Sequence, residues 1–255
     1  MKRTQQSYRE QKRRKWYLAT FLAFLGALVA AAVIYGIYFT AESTYNRGKF
    51  DNFIKSRFGE LKMKDAITAE LMLVAYAYNI REPRFYTKHT ALTQPKTFDI
   101  PIAEAVEASI SFPGYFKPFV SNGEVLVDGS LIANNPAYYA DCFARHLYDQ
   151  KNIKTFSIGA GRPEVVPFGP QEQVSAFTWI QRLQSLILAA GMKTHHAMSR
   201  LISTDEHRFQ VFTDIGFDEG SKIDKLERMG QDLYQLHYPE ISLLLDELLK
   251  KKFGQ

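Results

Sequence analysis

One aspartate in this sequence stands in the setting that a catalytic carboxylate needs. Asp128 ends the apolar stretch EVLVD, and Gly129 follows it directly, ahead of a helix-forming run. A carboxylate held in a tight glycine turn between a strand and a helix can take the proton from a hydroxyl nucleophile. Asp128 is therefore a candidate for one half of a catalytic pair, and the other half has to be found.

The other residue types that could do chemistry give weaker signals. Cys142 is the only cysteine, which excludes an intramolecular disulfide and a metal site built from cysteines. We interpret it as a small, buried apolar residue on a helix. His195 and His196 point about 100° apart on a helix, so they are poor ligands for one metal ion and predict a solvated helix face. We predict neither a metal nor a cofactor.

The basic charge of the chain belongs to its N-terminus. The formal net charge is +5. Residues 1–15 hold one acid, Glu10, and the following bases: Lys2, Arg3, Arg9, Lys12, Arg13, Arg14 and Lys15. Because the remaining chain is close to neutral, the charge predicts a basic N-terminal tail over residues 1–15 and no nucleic-acid partner.

The next segment has the composition of a membrane-spanning helix. No charged residue occurs from Trp16 to Phe39, in the run WYLATFLAFLGALVAAAVIYGIYF. At a rise of about 1.5 Å per residue, a helix of this length crosses a hydrocarbon core about 30 Å thick. We predict one transmembrane helix over residues 16–40, with the basic tail on the positive-inside face and residues 45–255 on the opposite side.

A cleaved signal peptide is the alternative interpretation of this segment. The apolar core of a signal peptide runs to about 7–15 residues, and this segment is longer, which favours an uncleaved, single-pass anchor. The arginine-rich, acid-poor start is also typical of mitochondrial proteins. The sequence thus predicts a membrane location, with the mitochondrial inner membrane as a candidate.

Strands and helices alternate after the anchor. Strands are predicted at residues 70–79, 83–89, 124–128, 153–159 and 207–212, and helices over NNPAYYADCFARHLYD, about 173–203, and PEISLLLDELLKKKFG. Together with the apolar run ELMLVAYAYN, the alternation predicts an α/β layered fold with a mostly parallel sheet and flanking helices, in one domain over residues 47–254. The stretch FTWIQRLQSLILAAGM fits either core packing or contact with lipid or a partner helix.

Four stretches in a fixed order resemble the patatin-like phospholipase family: IAEAVEASISFPGYFKPF, VDGSLIANNPA, TFSIGAG and KLERMGQDL. The resemblance implies a lipid acyl hydrolase with a Ser–Asp dyad. A serine on a G-x-S-x-G elbow attacks the ester, an aspartate in a D-G-G or D-G-A turn activates it, and a glycine-rich loop supplies the oxyanion hole. By position, Asp128 matches the dyad aspartate and Gly129 its turn glycine, whereas Ser130 replaces the usual glycine or alanine.

The other parts of that site are missing from the sequence. TFSIG around Ser157 and FVSNG around Ser121 both lack the first glycine of G-x-S-x-G, and the second fits a surface loop. No glycine-rich oxyanion loop occurs, and the apolar segment stands where the family has both elements. We therefore predict an incomplete patatin-like domain, with unpaired edges on the strands at 70–79 and 124–128. At least one other protein chain is expected to cover them.

Two functions follow from this pattern. The first is a membrane-anchored, non-catalytic subunit of a larger membrane complex, structural or in contact with membrane lipid. The alternative is the C-terminal half of a split phospholipase A or lysophospholipase. In that case a partner chain supplies the serine in trans and Asp128 acts as the dyad base.

Overall fold

The computed structural model describes residues 26–31, 33, 45–66, 70–147, 149, 153–161, 175–202, 205–216 and 219–253. The predicted basic tail and most of the predicted span lie outside these residues. Residues 26–31 and 33, inside the predicted span, are helical and exposed. None of the helices within these ranges is both long and apolar enough to cross a membrane.

A four-stranded sheet carries the candidate aspartate. Its strands are β1 (Met72–Ala77), β2 (Glu82–Thr87), β3 (Phe119–Ser121) and β4 (Glu124–Asp128), in the order β2-β1-β4-β3. The predicted bounds 124–128 agree with β4. Every neighbouring pair is antiparallel, so the prediction of a mostly parallel sheet is wrong for this part of the molecule.

Short connections give the strands their antiparallel direction. β1 and β2 are joined by a four-residue turn that ends at Arg81, which has a φ of 60°. β3 and β4 are joined by Asn122 and Gly123, with φ of 50° and 77°. Two consecutive positive φ angles characterise the type I′ turn of a tight hairpin. The stretch FVSNG is therefore half of a hairpin rather than a surface loop.

The pairing also corrects the predicted strand edges. β1 lies between β2 and β4, and β4 lies between β1 and β3. The register with β4 covers only Ala75 to Ala77 of β1, because the chain leaves the sheet after Asp128. Neither strand is an edge, so the prediction that both expose unpaired edges is wrong. Within the described sheet, the edge strands are β2 and β3.

The described helices lie before, between and after the strands in the chain. They are α1 (Gly48–Phe58), α2 (Lys88–Thr93), α3 (Pro95–Phe98), α4 (Ile102–Ser109), α5 (Ser130–Ala133), α6 (Ala137–Leu147), α7 (Ala176–Ile202) and α8 (Ile223–Phe253), with 3₁₀ turns at Met63–Asp65 and Gly220–Lys222. In α4, the small residues Ala105 and Ala108 are fully buried and allow the helix to approach β1 and β4 closely. Met63 and Leu126 are also fully buried in this core, which stabilises the fold by about 1.5–3 kcal/mol for each side chain.

A second, two-stranded sheet follows in the chain. β5 (Thr155–Ile158) and β6 (Glu206–Phe209) pair in parallel, and the connection between them includes α7. The prediction of parallel strands is therefore correct only for β5 and β6. An isolated two-stranded sheet is marginally stable, and parallel strands are normally covered on both faces.

The last helix is longer than the sequence pattern predicts. α8 begins at Ile223 and continues through Pro239, whereas the prediction started the helix at that proline. Proline is unfavourable inside a helix by about 3 kcal/mol, because it removes one hydrogen bond and crowds the preceding turn. Here the helix continues across Pro239, because the residues on both sides of the proline favour a helix.

Candidate functional site

Asp128 stands at the point where β4 ends and α5 begins. The backbone amide of Asp128 donates to the carbonyl of Ser111 at 3.0 Å, and that of Gly129 donates to Ser109 at 3.3 Å. The amide of Ser130 donates to Oδ1 of Asp128 at 2.7 Å. These contacts fix the turn and hold the carboxylate at the start of α5.

Gly129 is required at this turn by its distance from β1. A Cβ atom added to Gly129 would lie 2.1 Å from the carbonyl oxygen of Val74 and 2.6 Å from its carbonyl carbon. Its φ of −68° is one that any residue adopts. The glycine is therefore needed for the close approach of two backbones and not for an unusual backbone angle.

The Asp128 carboxyl is half-buried. Burial raises its pKa above the ordinary value of an aspartate, and the hydrogen bond from the Ser130 amide and the nearby Ser130 side chain offset part of that rise. The Ser130 hydroxyl lies close enough to act on the carboxyl, but it makes no hydrogen bond of good geometry among the described residues. The structure therefore holds a candidate base without an assembled nucleophile.

A cavity of about 1400 Å³ opens beside this turn. It lies between the Asp128 turn, β5 and α7, and its apolar wall includes Ile110, Phe112, Leu186 and Phe212. The volume exceeds the roughly 300–1,000 Å³ of an ordinary small-molecule pocket. It is large enough for a long apolar ligand.

A chain of three polar side chains lines another part of the cavity. The guanidinium of Arg208 donates through Nη1 to the hydroxyl of Ser157, which donates to Oδ1 of Asn135 at 3.1 Å. Arg208 also donates to Gln210 Oε1 at 2.5 Å. Asn135 and Ser157 are 1% and 5% exposed. The cavity is thus apolar over much of its wall and polar around Arg208.

The two serines of the near-miss motifs have hydrogen-bond partners other than Asp128. Ser157 lines the cavity, but its hydroxyl is bound to Asn135 and Arg208, neither of which is a base. Ser121 lies in β3 and donates to Glu104 at 2.8 Å, away from the cavity wall. Neither serine pairs with Asp128.

The two adjacent histidines are not on a solvated face, which corrects that prediction. Both are half-buried. The His195 ring packs 5.3 Å from the ring of Tyr139 in α6, and burial lowers the pKa of His195. Nδ1 of His196 lies 3.1 Å from Oε1 of Glu206, at the start of β6. In the described ranges, no group of acidic, histidine or cysteine residues has the arrangement of a metal site.

The apolar stretch of α7 divides between two environments. Leu186, Ala189 and Ala190 line the cavity. Trp179, Leu183 and Ile187 remain between 45% and 49% exposed. Because these three side chains remain about half exposed, packing in a closed core does not explain the whole apolar stretch of α7. Cys142 is half-buried in α6 and free of disulfide bonding, rather than buried as predicted.

Sequence reasoning gave neither Arg208 nor Asn135 a place in the site. Asn135 also caps α6, because its Oδ1 accepts from the amide of Ala137 at 3.2 Å at the start of that helix. A signal for Arg208 did exist: a basic residue in the strand pattern HRFQVF is rarely buried without a polar partner. Its partner Ser157 is distant in the chain, so the pair itself could not be predicted.

A scan against protein-family models matches the patatin-like phospholipase family at residues 8–141, more than half of the chain. The match ends in α6, after Asp128 and Gly129, and it begins in the predicted basic tail. A search of curated proteins finds no match.

Proposed function

Because the chain belongs to the patatin-like phospholipase family, we propose that it is a non-catalytic, membrane-anchored subunit of a larger membrane complex, related to lipid hydrolases. One observation carries the proposal. Asp128, the candidate dyad base, lies beside a large cavity, yet no described serine hydroxyl, including that of Ser130 in the same turn, makes a hydrogen bond of good geometry with it. The 255 residues also contain no G-x-S-x-G sequence. A carboxylate without an adjacent hydroxyl does not start acyl transfer.

The membrane anchor in this proposal is the helix over residues 16–40. Its support is the absence of charge from Trp16 to Phe39 and the exposure of the helical residues inside it. Leu28, Val29 and Val33 are each more than half exposed. An apolar helix left uncovered by the rest of the described chain is suited to lipid. The arginine-rich start supports placing this membrane in mitochondria.

A partner chain in this proposal covers β5 and β6. Among the described residues, each strand of this parallel pair is paired on one edge, and Ile158 at the end of β5 is 77% exposed. Parallel strands normally lie inside larger sheets. A strand from another polypeptide, added beside β5, would pair its free backbone groups and cover this apolar side chain.

The experiment for the non-catalytic role is a lipid-ester hydrolysis assay. The full-length chain, purified in amphipol, is compared with Asp128→Asn and with Asp232→Asn, a matched change at an exposed site on α8. We expect no turnover above background in all three proteins. Turnover that is lost in Asp128→Asn and kept in Asp232→Asn would refute the non-catalytic role.

A split enzyme is the second candidate function. It is favoured by the state of Asp128, whose carboxylate is half-buried and whose partners among the described donors are the amide and the side chain of Ser130. That leaves room for the hydroxyl of an incoming serine. The native assembly should then contain a chain with G-x-S-x-G, and mixing the two purified chains should produce hydrolysis that Asp128→Asn abolishes. An assembly without that motif excludes this candidate.

The anchor is tested by membrane extraction and protease protection. Native membranes from mitochondria are washed with carbonate and then treated with protease from each side. The proposal expects the chain to stay in the membrane and residues 45–255 to be cleaved from one side only. Release by carbonate would contradict the anchor, and it would fit a segment 16–40 folded into the family domain, which the family match includes.

A further inference from the structure

We propose that residues 45–47 form a strap that holds the loop of residues 112–118 in the wall of the cavity, and that release of the strap opens this wall. The inference goes beyond the proposed function, because it concerns access to the cavity. It requires neither a nucleophile nor a membrane anchor.

The loop of residues 112–118 forms one part of the cavity wall. Phe112, Tyr115 and Phe116 line the cavity. The loop lies outside the described helices and strands, and it bends at Gly114, which has a φ of 91°. The amides of Tyr115 and Phe116 donate to the carbonyl of Phe112 at 3.1 and 3.0 Å, so these two bonds are local. A segment outside regular secondary structure opens at a lower free energy than a sheet does, unless other contacts hold it.

Arg47 gives the strap its charge-assisted contacts. Its guanidinium donates to Oγ of Ser111 at 2.6 Å, to the carbonyl of Glu107 at 3.0 Å and to Oδ1 of Asp51 at 2.9 Å. The side chain is 11% exposed, and the guanidinium lies 5.5 Å from the ring centre of Phe116 in the loop. One planar group therefore uses donors in three directions while it covers an aromatic ring, which a shorter or uncharged side chain cannot reproduce.

Tyr45 joins the strap directly to the loop. Its amide donates to the carbonyl of Tyr115 at 2.9 Å. The rings of Tyr45 and Tyr115 stack, with centres 5.9 Å apart and 14° between their planes, and the Tyr45 ring lies 6.2 Å from that of Phe116. Tyr45 also lines the cavity. Displacing the strap therefore removes one part of the wall together with the support of another.

The strap also reaches the turn that carries Asp128. Ser111 is fully buried, and its hydroxyl accepts from Arg47 while its carbonyl accepts from the amide of Asp128 at 3.0 Å. The loop begins at the next residue, Phe112. Asp128 is itself paired with Ala75 of β1. We therefore expect release of the strap to free the loop and to leave the sheet intact.

The test is hydrogen–deuterium exchange of the full-length chain in amphipol, measured by mass spectrometry over the loop and over β1. Arg47→Gln removes the charge and the fork of donors, and Tyr45→Ala removes the stacked ring but keeps the guanidinium. Arg57→Gln is the matched control, because Arg57 is exposed on α1 and its guanidinium lies over the ring of Phe53.

We expect the loop amides to exchange at least about tenfold faster in Arg47→Gln and at least about threefold faster in Tyr45→Ala. Exchange in β1 should stay within about twofold of the wild type in both variants, because a local opening leaves the paired strands closed. Arg57→Gln should change neither rate. Where Arg47→Gln fails to fold, as judged by thermal unfolding, Tyr45→Ala decides the outcome.

Opening of the cavity is measured separately by cysteine labelling. Ala137 lines the cavity and is 8% exposed. Ala137→Cys, in a Cys142→Ser background, therefore reports access of a water-soluble maleimide to the interior. Adding Arg47→Gln should speed the labelling by about tenfold or more, and adding Arg57→Gln should leave it unchanged. If the cysteine variant does not fold, the exchange rates decide the outcome.

Three results would overturn the proposal. Unchanged loop exchange in the folded strap variants would show that residues 45–47 do not hold the loop. Exchange that rises by the same factor in the loop and in β1 would show general destabilisation. Faster loop exchange without faster labelling of Ala137→Cys would show that the loop moves without opening the cavity. None of these results depends on hydrolysis or on membrane extraction, so failure here is distinct from failure of the proposed function.

Discussion

Replacing Gly129 by alanine tests whether the turn that carries Asp128 is as close to β1 as the structure shows. The added Cβ would lie 2.1 Å from the carbonyl oxygen of Val74. Carbon–oxygen contacts in proteins are ordinarily about 3.3 Å or longer, so two backbones would have to separate by roughly 1 Å. Neither can move easily, because Val74 is paired with Phe85 of β2 and the next residue of β1 is paired with Asp128 itself.

We expect the cost to lie at the upper end of the range for overpacking, about 3 kcal/mol. For a domain of this size, that corresponds to a fall in Tm of roughly 6–12 °C. The φ of Gly129 is −68°, so alanine can adopt it and the cost is steric alone. The measurement is thermal unfolding of the full-length chain, followed by intrinsic fluorescence.

Gly191→Ala is the matched control. Gly191 lies inside α7, and a Cβ there would meet nothing within 4 Å. Alanine in a helix interior is favoured over glycine by about 0.5–1 kcal/mol, so this variant should be slightly more stable than the wild type. If Gly129→Ala also unfolds at or above the wild-type temperature, the turn does not approach β1 as described.

Two further predictions concern ion pairs. His207 lies between two carboxylates: its Nδ1 is 2.7 Å from Oε1 of Glu240, and its Nε2 is 2.9 Å from Oδ1 of Asp205. Burial lowers its pKa, but the hydrogen bonds that its ring nitrogens donate to the two carboxylates outweigh this and raise the pKa above the ordinary value. The charged His207 ring therefore stabilises the fold fully below about pH 6.5, and this contribution is lost as the pH rises through the raised pKa. His207→Gln should flatten the fall in Tm between about pH 5.5 and 8.5, and an unchanged slope would contradict the assignment. Arg84, 7% exposed, donates to both oxygens of Glu124 at 2.8 and 2.6 Å. Arg84→Met should destabilise by about 3 kcal/mol in chemical denaturation, and adding Glu124→Gln should recover part of the loss. Simple additivity of the two changes would argue against the pair.

The sequence located the candidate base because its signal is local. The apolar run EVLVD and the glycine after it predicted the bounds of β4 and the turn at Asp128. Local chemistry is enough for such a prediction, because both the strand and the tight turn depend on adjacent residues.

Strand direction was predicted wrongly although a local signal existed. Asn122 and Gly123 form the dipeptide that favours a two-residue hairpin, and both have positive φ. Weighing this dipeptide would have predicted the antiparallel pairing of β3 and β4. The alternation of strands and helices along the chain pointed instead to a parallel sheet, which applies only to β5 and β6.

The polar part of the cavity could not be predicted from the sequence. Arg208 meets Ser157 across 51 positions of the chain, and Ser157 meets Asn135 across 22. Propensity and periodicity describe one element at a time, whereas these contacts depend on how a helix start and two strands pack together. That Asn135 Nδ2 has no hydrogen-bond partner among the described residues becomes visible only after that packing is known.

The central claim is that Asp128 has no nucleophile within this chain, and fluorophosphonate labelling tests it most directly. The purified full-length chain and the native assembly are each treated with a fluorophosphonate probe, and labelled peptides are identified by mass spectrometry. The account predicts no labelled serine in this chain in either sample. Labelling of one of its own serines that disappears in Asp128→Asn would contradict the claim.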